Sequence, residues 1–183
     1  MIAAMRRALP PLIALLCFLP RPASAQTGFE ISGGYAVARD PRDEVTLPRG
    51  WAIAAALALT PTFSAVADFS GQYQTVALFN SDARLRVFAA MGGLRAAARI
   101  GALTEFGQLL AGVVRASGSA FGSTTSANSF SIQPGVGLDY PLARAWAARA
   151  QLDLRLIAAQ RDTFNGGYQY RFVAGLVYQH RRR

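Results

Sequence analysis

The stretch Phe130–Ile157, FSIQPGVGLDYPLARAWAARAQLDLRLI, alternates twice with a turn between the two runs. In the first run Phe130, Ile132, Pro134, Val136, Leu138 and Tyr140 share one parity, and Ser131, Gln133, Gly135, Gly137 and Asp139 share the other. In the second, Trp146, Ala148, Ala150, Leu152, Leu154 and Leu156 alternate with Ala147, Arg149, Gln151, Asp153, Arg155 and Ile157. A period of two belongs to a strand, whose successive side chains point to opposite faces. Each arm is about 11 residues long, enough for a tilted strand to cross a bilayer.

The rest of the chain follows the same rule. Strands are predicted over Gly28–Ala38, Gly50–Leu59, Phe63–Gln74, Arg84 to about Leu94, Thr104–Ala116 and Tyr168–His180, which with the two arms of the hairpin makes eight. The second of these is so rich in Ala that a helix is conceivable there. The fourth sets Leu85, Val87, Ala89 and Met91 against Arg86, Phe88, Ala90 and Gly92, with Phe88 breaking the pattern. The fifth shows little contrast between Phe106, Leu110 and Val114 on one side and Leu109, Val113 and Arg115 on the other. Long loops are expected at 39–49, 75–83, 117–129 and 159–167, and tight turns at 60–62 and 141–145. The Ala-rich stretch Arg95–Leu103 reads either as a helical turn or as a longer connection.

Met1–Ala25 has the form of a secretory signal peptide: Arg6 and Arg7, an apolar run over Leu12–Leu19, and Ala23-Ser24-Ala25 as the small-residue cleavage site. The mature domain is then residues 26–183. Cys17, the only cysteine, falls in the leader, so neither a disulfide nor thiol chemistry is expected afterwards. All 19 basic residues are Arg, against 10 acids, and loss of Arg6, Arg7 and Arg21 with the leader lowers the formal charge from +9 by three. Such an excess suits anionic surfaces such as lipid head groups or lipopolysaccharide. The arginines are scattered singly, apart from the tail Arg181–Arg183, which does not suit nucleic acid.

Alternation leaves open which face is inside. A soluble lipocalin-like barrel, binding a small apolar ligand, would turn its apolar face inward, and a membrane barrel would do the reverse. Three features favour the membrane. The polar faces consist of Ala, Gly, Ser, Gln and single charges that suit a narrow interior. Phe29, Trp51, Phe63, Tyr73, Phe130, Tyr140, Trp146, Tyr170 and Tyr178 cluster near strand ends, as interfacial girdles do. Charges of both signs occur on the polar faces, and Glu30, Asp68, Arg86, Asp139, Arg149, Asp153, Arg155 and Arg171 are expected to form a lumen network of salt bridges and hydrogen bonds.

With apolar residues outward, the hairpin loop must have an odd count. The register expected pairs Tyr140 with Trp146, Leu138 with Ala148 and Ile132 with Leu154, so that Gly137 faces Arg149, Gly135 faces Gln151, Gln133 faces Asp153 and Ser131 faces Arg155. A bulge is expected near Pro134, which forfeits a ladder hydrogen bond.

Together ADFSGQY (Ala67–Tyr73), FSIQPGVGLDYPL and YRFVAGLVYQ (Tyr170–Gln179) resemble the small OmpA-type outer-membrane β-barrels, and the resemblance of pattern covers residues 26–180. It implies an all-β fold, an eight-stranded antiparallel up-and-down transmembrane barrel in the bacterial outer membrane. It also implies passage with periplasmic chaperones and insertion by the barrel-assembly machinery, read from a last strand carrying Gly175, Leu176 and Tyr178. Members of this family commonly end on an aromatic residue, whereas here Gln179, His180 and three Arg follow Tyr178.

No catalytic, cofactor or metal site is expected. His180 is the only histidine and lies beside the terminal arginines, without a second histidine or a triad. The glycine pairs do not lie between a strand and a helix, so they are not phosphate loops. The role expected is structural or adhesive, exercised as a monomer through loops 39–49 and 117–129.

Overall fold

The computed structural model describes residues 28–41, 45–78, 81–120, 123–158 and 167–181. The leader and the segment 159–166 lie outside them. Nine strands follow one another: β1 (Gly28–Asp40), β2 (Val45–Leu47), β3 (Arg49–Ala58), β4 (Phe63–Leu78), β5 (Ser81–Ile100), β6 (Leu103–Ala120), β7 (Ser123–Pro141), β8 (Trp146–Ile157) and β9 (Tyr168–Arg181). Each of β3 to β9 pairs antiparallel with its predecessor in an unbroken series that begins from β1, and β9 returns to β1 to close an eight-stranded barrel. The short β2 is a flap on the end of β1, with Ala38 opposite Leu47. Closure leaves the wall without a free edge, so all its backbone can be paired within the chain.

One rim carries both ends of the wall, with Gly28 opposite Arg181, and three tight turns. The first is held by Leu59 and Thr60 donating to the Phe63 carbonyl, at 2.9 and 3.0 Å. In the second, Gly101 takes φ +61°, where a Cβ would be strained. The Arg95–Leu103 stretch is therefore neither helix nor long connection: β5 runs through it to Ile100 and turns at once into β6.

The opposite rim differs from the loops expected there. β1 and β2 occupy much of 39–49, β4 and β5 continue through most of 75–83, and β6 and β7 run to Ala120 and from Ser123. The Ser/Thr/Gly segment 117–129 is thus largely paired strand, with Ser117 opposite Ser126 and Ala116 opposite Ala127. Its backbone ladder needs no amphipathic pattern, and beyond the apolar band both faces meet similar surroundings, so alternation fades while pairing persists. The Ala-rich β3 is a strand because it lies between β1 and β4, which its small inward side chains allow to approach.

The β7–β8 hairpin keeps the expected parity but not the expected register. Tyr140 stands opposite Ala148, Leu138 opposite Ala150 and Gly135 opposite Asp153, a shift of two residues. The turn is shorter than expected, with Leu142 and Ala143 donating to the Trp146 carbonyl at 2.9 and 3.1 Å. The shift places Asp139 directly opposite Arg149. No bulge occurs at Pro134: pairing is interrupted between Gly135–Asp153 and Ile132–Leu156, then resumes in the same register. Losing the proline's hydrogen bond leaves a gap in the ladder without an extra residue.

The closing seam is narrow. Gly34 stands opposite Gly175, and a Cβ on Gly175 would collide with the Gly33 carbonyl and come within 2.6 Å of the Gly34 Cα. Gly175→Val is expected to destabilise the folded barrel by about 1–3 kcal/mol. Gly33→Val, whose added group meets open space, should leave the midpoint unmoved; urea unfolding in detergent micelles compares the two.

Candidate functional site

Because neighbouring strands pair residues of like orientation, closure fixes one inward parity around the whole ring. On β1, β3, β4, β8 and β9 the polar or small face expected to be inward is inward, and Ile31, Ile53, Phe69, Leu152, Phe172 and Leu176 are exposed. This is the reverse of a soluble lipocalin-like barrel. The aromatic side chains form two groups. Phe29 and Trp146 each pack against Tyr178 at the rim of tight turns. Near the other rim Tyr73 meets Phe88 edge-on at 5.8 Å, and Trp51 Nε1 donates to the Tyr73 hydroxyl at 3.1 Å.

On β5 the expected orientation is inverted. Val87, Ala89 and Met91 are buried inside, while Arg86, Phe88 and Ala90 are exposed outside. Asp68 pairs with Met91 and Ser70 with Ala89, so once Asp68 is inside, Met91 must be as well. Val87, Ala89 and Met91 pack with Val66, Leu110 and Val114 into an apolar half of the lumen. Leu47 of the β2 flap joins this cluster. Arg86 therefore does not belong to the lumen network.

The other seven expected network residues are brought inside. Near the rim of tight turns, Glu30 bridges Arg95 at 2.6 Å and Arg149 at 2.7 Å. Arg149 forms a two-pronged pair with Asp139, its Nε and Nη2 donating to the two carboxylate oxygens at 2.7 Å each. The Phe106 ring lies 4.3 Å from the Arg95 guanidinium carbon and 4.6 Å from that of Arg149, within cation–π reach of both. Gly137 stands opposite Phe106, where a Cβ would strike the ring.

Farther along the lumen Arg171 joins two carboxylates. It donates to both oxygens of Asp68 at 2.9 Å and from Nε to Asp153 at 2.9 Å. Asp153, opposite Arg171 in the ladder, also accepts from Gln108 at 3.2 Å and from Gln151 at 3.1 and 2.9 Å. Arg155 is buried among neutral acceptors: Gln133 at 2.9 Å, Gln169 at 3.2 Å and Ser70 at 3.2 Å. Gln108 also accepts from Arg95, at 3.2 and 3.0 Å, and so connects the two charge groups.

Sequence reasoning missed Arg95, because it lay in a stretch read as a connection. Arg95 shares the parity of Met91 and Gly93, the face of β5 expected to point outward, so parity alone would not have found it. The neutral linkers Ser70, Gln108 and Gln169 carry no signal of their own beyond parity.

This arrangement fills the middle of the tube. The void beside Ser32, Ala54, Asp68 and Arg149 is about 10 Å³, room for one water at most, and a wider cavity of about 200 Å³ opens at the rim of tight turns, among Arg99, Asp139, Arg144 and Gln179. Among the described residues no group of three His, Cys, Asp or Glu could hold a metal ion. Apart from Arg155, the guanidiniums and carboxylates are directed at one another, and the chemistry they provide is mutual neutralisation.

A closed antiparallel barrel of eight strands, apolar outside and charged within, is the fold of the small outer-membrane β-barrels. Solved structures agree. Neisserial surface protein A matches at 15% identity and TM-score 0.60, over 82% of this chain and 95% of that one. The attachment invasion locus protein Ail of Yersinia pestis matches at 14% and 0.57, over 86% and 100%. OprG of Pseudomonas aeruginosa, an outer membrane protein, matches at 12% and 0.56, over 88% and 99%. No family model and no curated protein matches the sequence.

Removing one member of a buried ion-pair network costs about 3–5 kcal/mol because its partners are left charged and unpaired. Arg171→Leu, which strands both Asp68 and Asp153, is expected to destabilise the barrel by that amount in urea titrations. Arg39→Gln, on the exposed outer face, should leave the transition where it is.

Proposed function

We propose that this chain is an integral protein of the bacterial outer membrane with a structural or surface-interaction role, envelope-stabilising or adhesive, and without catalysis. The observation that carries the reading is the inversion of polarity: a girdled apolar exterior around a filled, charge-matched interior. The exterior suits lipid contact, and the filled interior suits a wall element better than an aqueous channel. The rim of tight turns and chain ends would face the periplasm. The rim of extended hairpins would face outward, and there 39–49 and 117–129 present partly paired strands to a partner. Ail, of the same fold, has been crystallised in complex with the heparin analogue sucrose octasulfate, and that precedent supports a surface-interaction role. Export through the leader, chaperoned transit and insertion by the barrel-assembly machinery belong to the same proposal, as does a monomeric state.

Two measurements test it. The protein should stay with membranes through a carbonate wash and migrate differently in detergent gels before and after boiling; recovery in the soluble fraction would end the membrane reading. In intact cells a cysteine at Ser126→Cys is expected to react with an impermeant maleimide, while one at Pro141→Cys stays shielded, and the opposite pattern would invert the topology.

A further inference from the structure

Four arginines point away from the lumen beside the aromatic group near the hairpin rim. The ladder sets Arg49 opposite Tyr73 and Tyr73 opposite Arg86, so the two arginines flank the tyrosine with Cα atoms about 10 Å apart, two inter-strand spacings. Arg84 lies one outward position above Arg86 on the same strand, opposite Thr75. Arg115 lies opposite Phe88, one strand farther round. All four are exposed. Among the described residues none of them forms an ion pair, unlike Arg95, Arg149 and Arg171 of the lumen.

Below Arg49, Arg84 and Arg86, and level with Arg115, the outer wall forms a shelf. Trp51, Gly71 and Phe88 lie in one row across β3, β4 and β5, and the rings lean over the glycine so closely that a Cβ there would come within 2.8 Å of Trp51 and 3.1 Å of Phe88. Aromatic side chains of this kind sit at the boundary between acyl chains and headgroups. The guanidiniums beside and above the shelf are therefore at headgroup height, where a planar fork of donors matches phosphate oxygens in paired hydrogen bonds. Free guanidiniums clustered above aromatic rings, over an apolar wall, have the chemistry to hold a lipid that is phosphorylated, carries sugar and is anchored by acyl chains.

We propose that this face of β3 to β6 binds a phosphorylated glycolipid of the surrounding leaflet, with Arg49, Arg84, Arg86 and Arg115 on its phosphates and the Trp51–Tyr73–Phe88 shelf beneath its sugars. The assignment rests on the outer-membrane reading above and narrows it to one sector of the wall. The phosphates neutralise guanidiniums that have no ion-pair partner among the described residues, and the acyl chains continue down the exposed face of β5 past Ala90 and Gly92.

The test uses the mature barrel in phosphatidylcholine nanodiscs containing a few mole per cent of a diphosphorylated hexa-acyl glycolipid, or the same glycolipid without phosphates. Glycolipid retained after detergent extraction is measured by native mass spectrometry. The parent barrel is expected to retain the phosphorylated form and not the phosphate-free one. Combined Arg49→Gln, Arg84→Gln, Arg86→Gln and Arg115→Gln should weaken retention at least about tenfold, whereas Arg99→Gln with Arg144→Gln at the opposite rim should not. Heat-modifiable migration verifies folding of each variant, and the Arg84→Gln/Arg86→Gln double replaces the quadruple if the latter does not fold. Undiminished retention by the folded patch variant, or equal retention of the phosphate-free glycolipid, overturns the site. Displacement by millimolar inorganic phosphate would make it a free-anion site and overturns the lipid assignment. A parent chain that does not enter a bilayer overturns the membrane reading itself, and is seen as failure of insertion before any lipid is measured.

Discussion

Ionised groups enclosed in a tube eight strands wide must be matched to one another, and the rest of this structure depends on that matching. Glu30, Asp68, Asp139 and Asp153 stand against Arg95, Arg149, Arg155 and Arg171, so the enclosed formal charges cancel. The gain in stability from such pairs over an apolar core is small, because both partners are desolvated. Their strength is in what they forbid. The observed β7–β8 register places Asp139 opposite Arg149 and Gly135 opposite Asp153; the register two residues away would have placed Gly137 opposite Arg149 and so separated the carboxylate from its guanidinium.

The network also explains the asymmetry of the interior. Charged side chains come chiefly from β1, β8 and β9, with Asp139 contributed by the adjoining β7 and Asp68 and Arg95 by β4 and β5. The wall opposite is built from Ala54, Ala56, Val66, Val87, Met91, Leu110 and Val114. The glycines of the charged half answer to close packing: a Cβ at 34 or 175 would meet the neighbouring strand's backbone, one at 135 the Asp153 carboxylate and one at 137 the Phe106 ring. Apolar residues inside β5 and β6 fill the remaining space without asking for further hydrogen-bond partners. Outside, the requirement is reversed: the wall needs only apolar surface between two aromatic bands, and charge is found at its margins.

Much of this was legible in the residues. The β8 strand has the bounds its alternation predicts, Trp146–Ile157, because one of its faces is apolar and the other polar along its whole length. Seven of the eight expected lumen residues are inside for the same reason. Arg86 was misplaced because β5 carries apolar residues on both faces, Val87 and Met91 inside and Phe88 and Leu94 outside, so local contrast could not orient it. Arg95 was hidden by the alanines around it. The hairpins beyond the aromatic band were read as loops because their side chains no longer alternate, though their backbones still pair.

The sequence by itself determined the period of two, and therefore strands; the lengths that can cross a bilayer; and the segregation of charge onto one parity in most of them. Only the tertiary structure decided the orientation of β5 and β6, the register of each hairpin and the partner of each ion. The physical reason is that an alternating strand considered alone is compatible with either face inward. Ring closure removes that freedom, since every strand must share its neighbours' inward parity, and once Asp68 is inside, Met91 and Gly112 opposite it in turn are inside too.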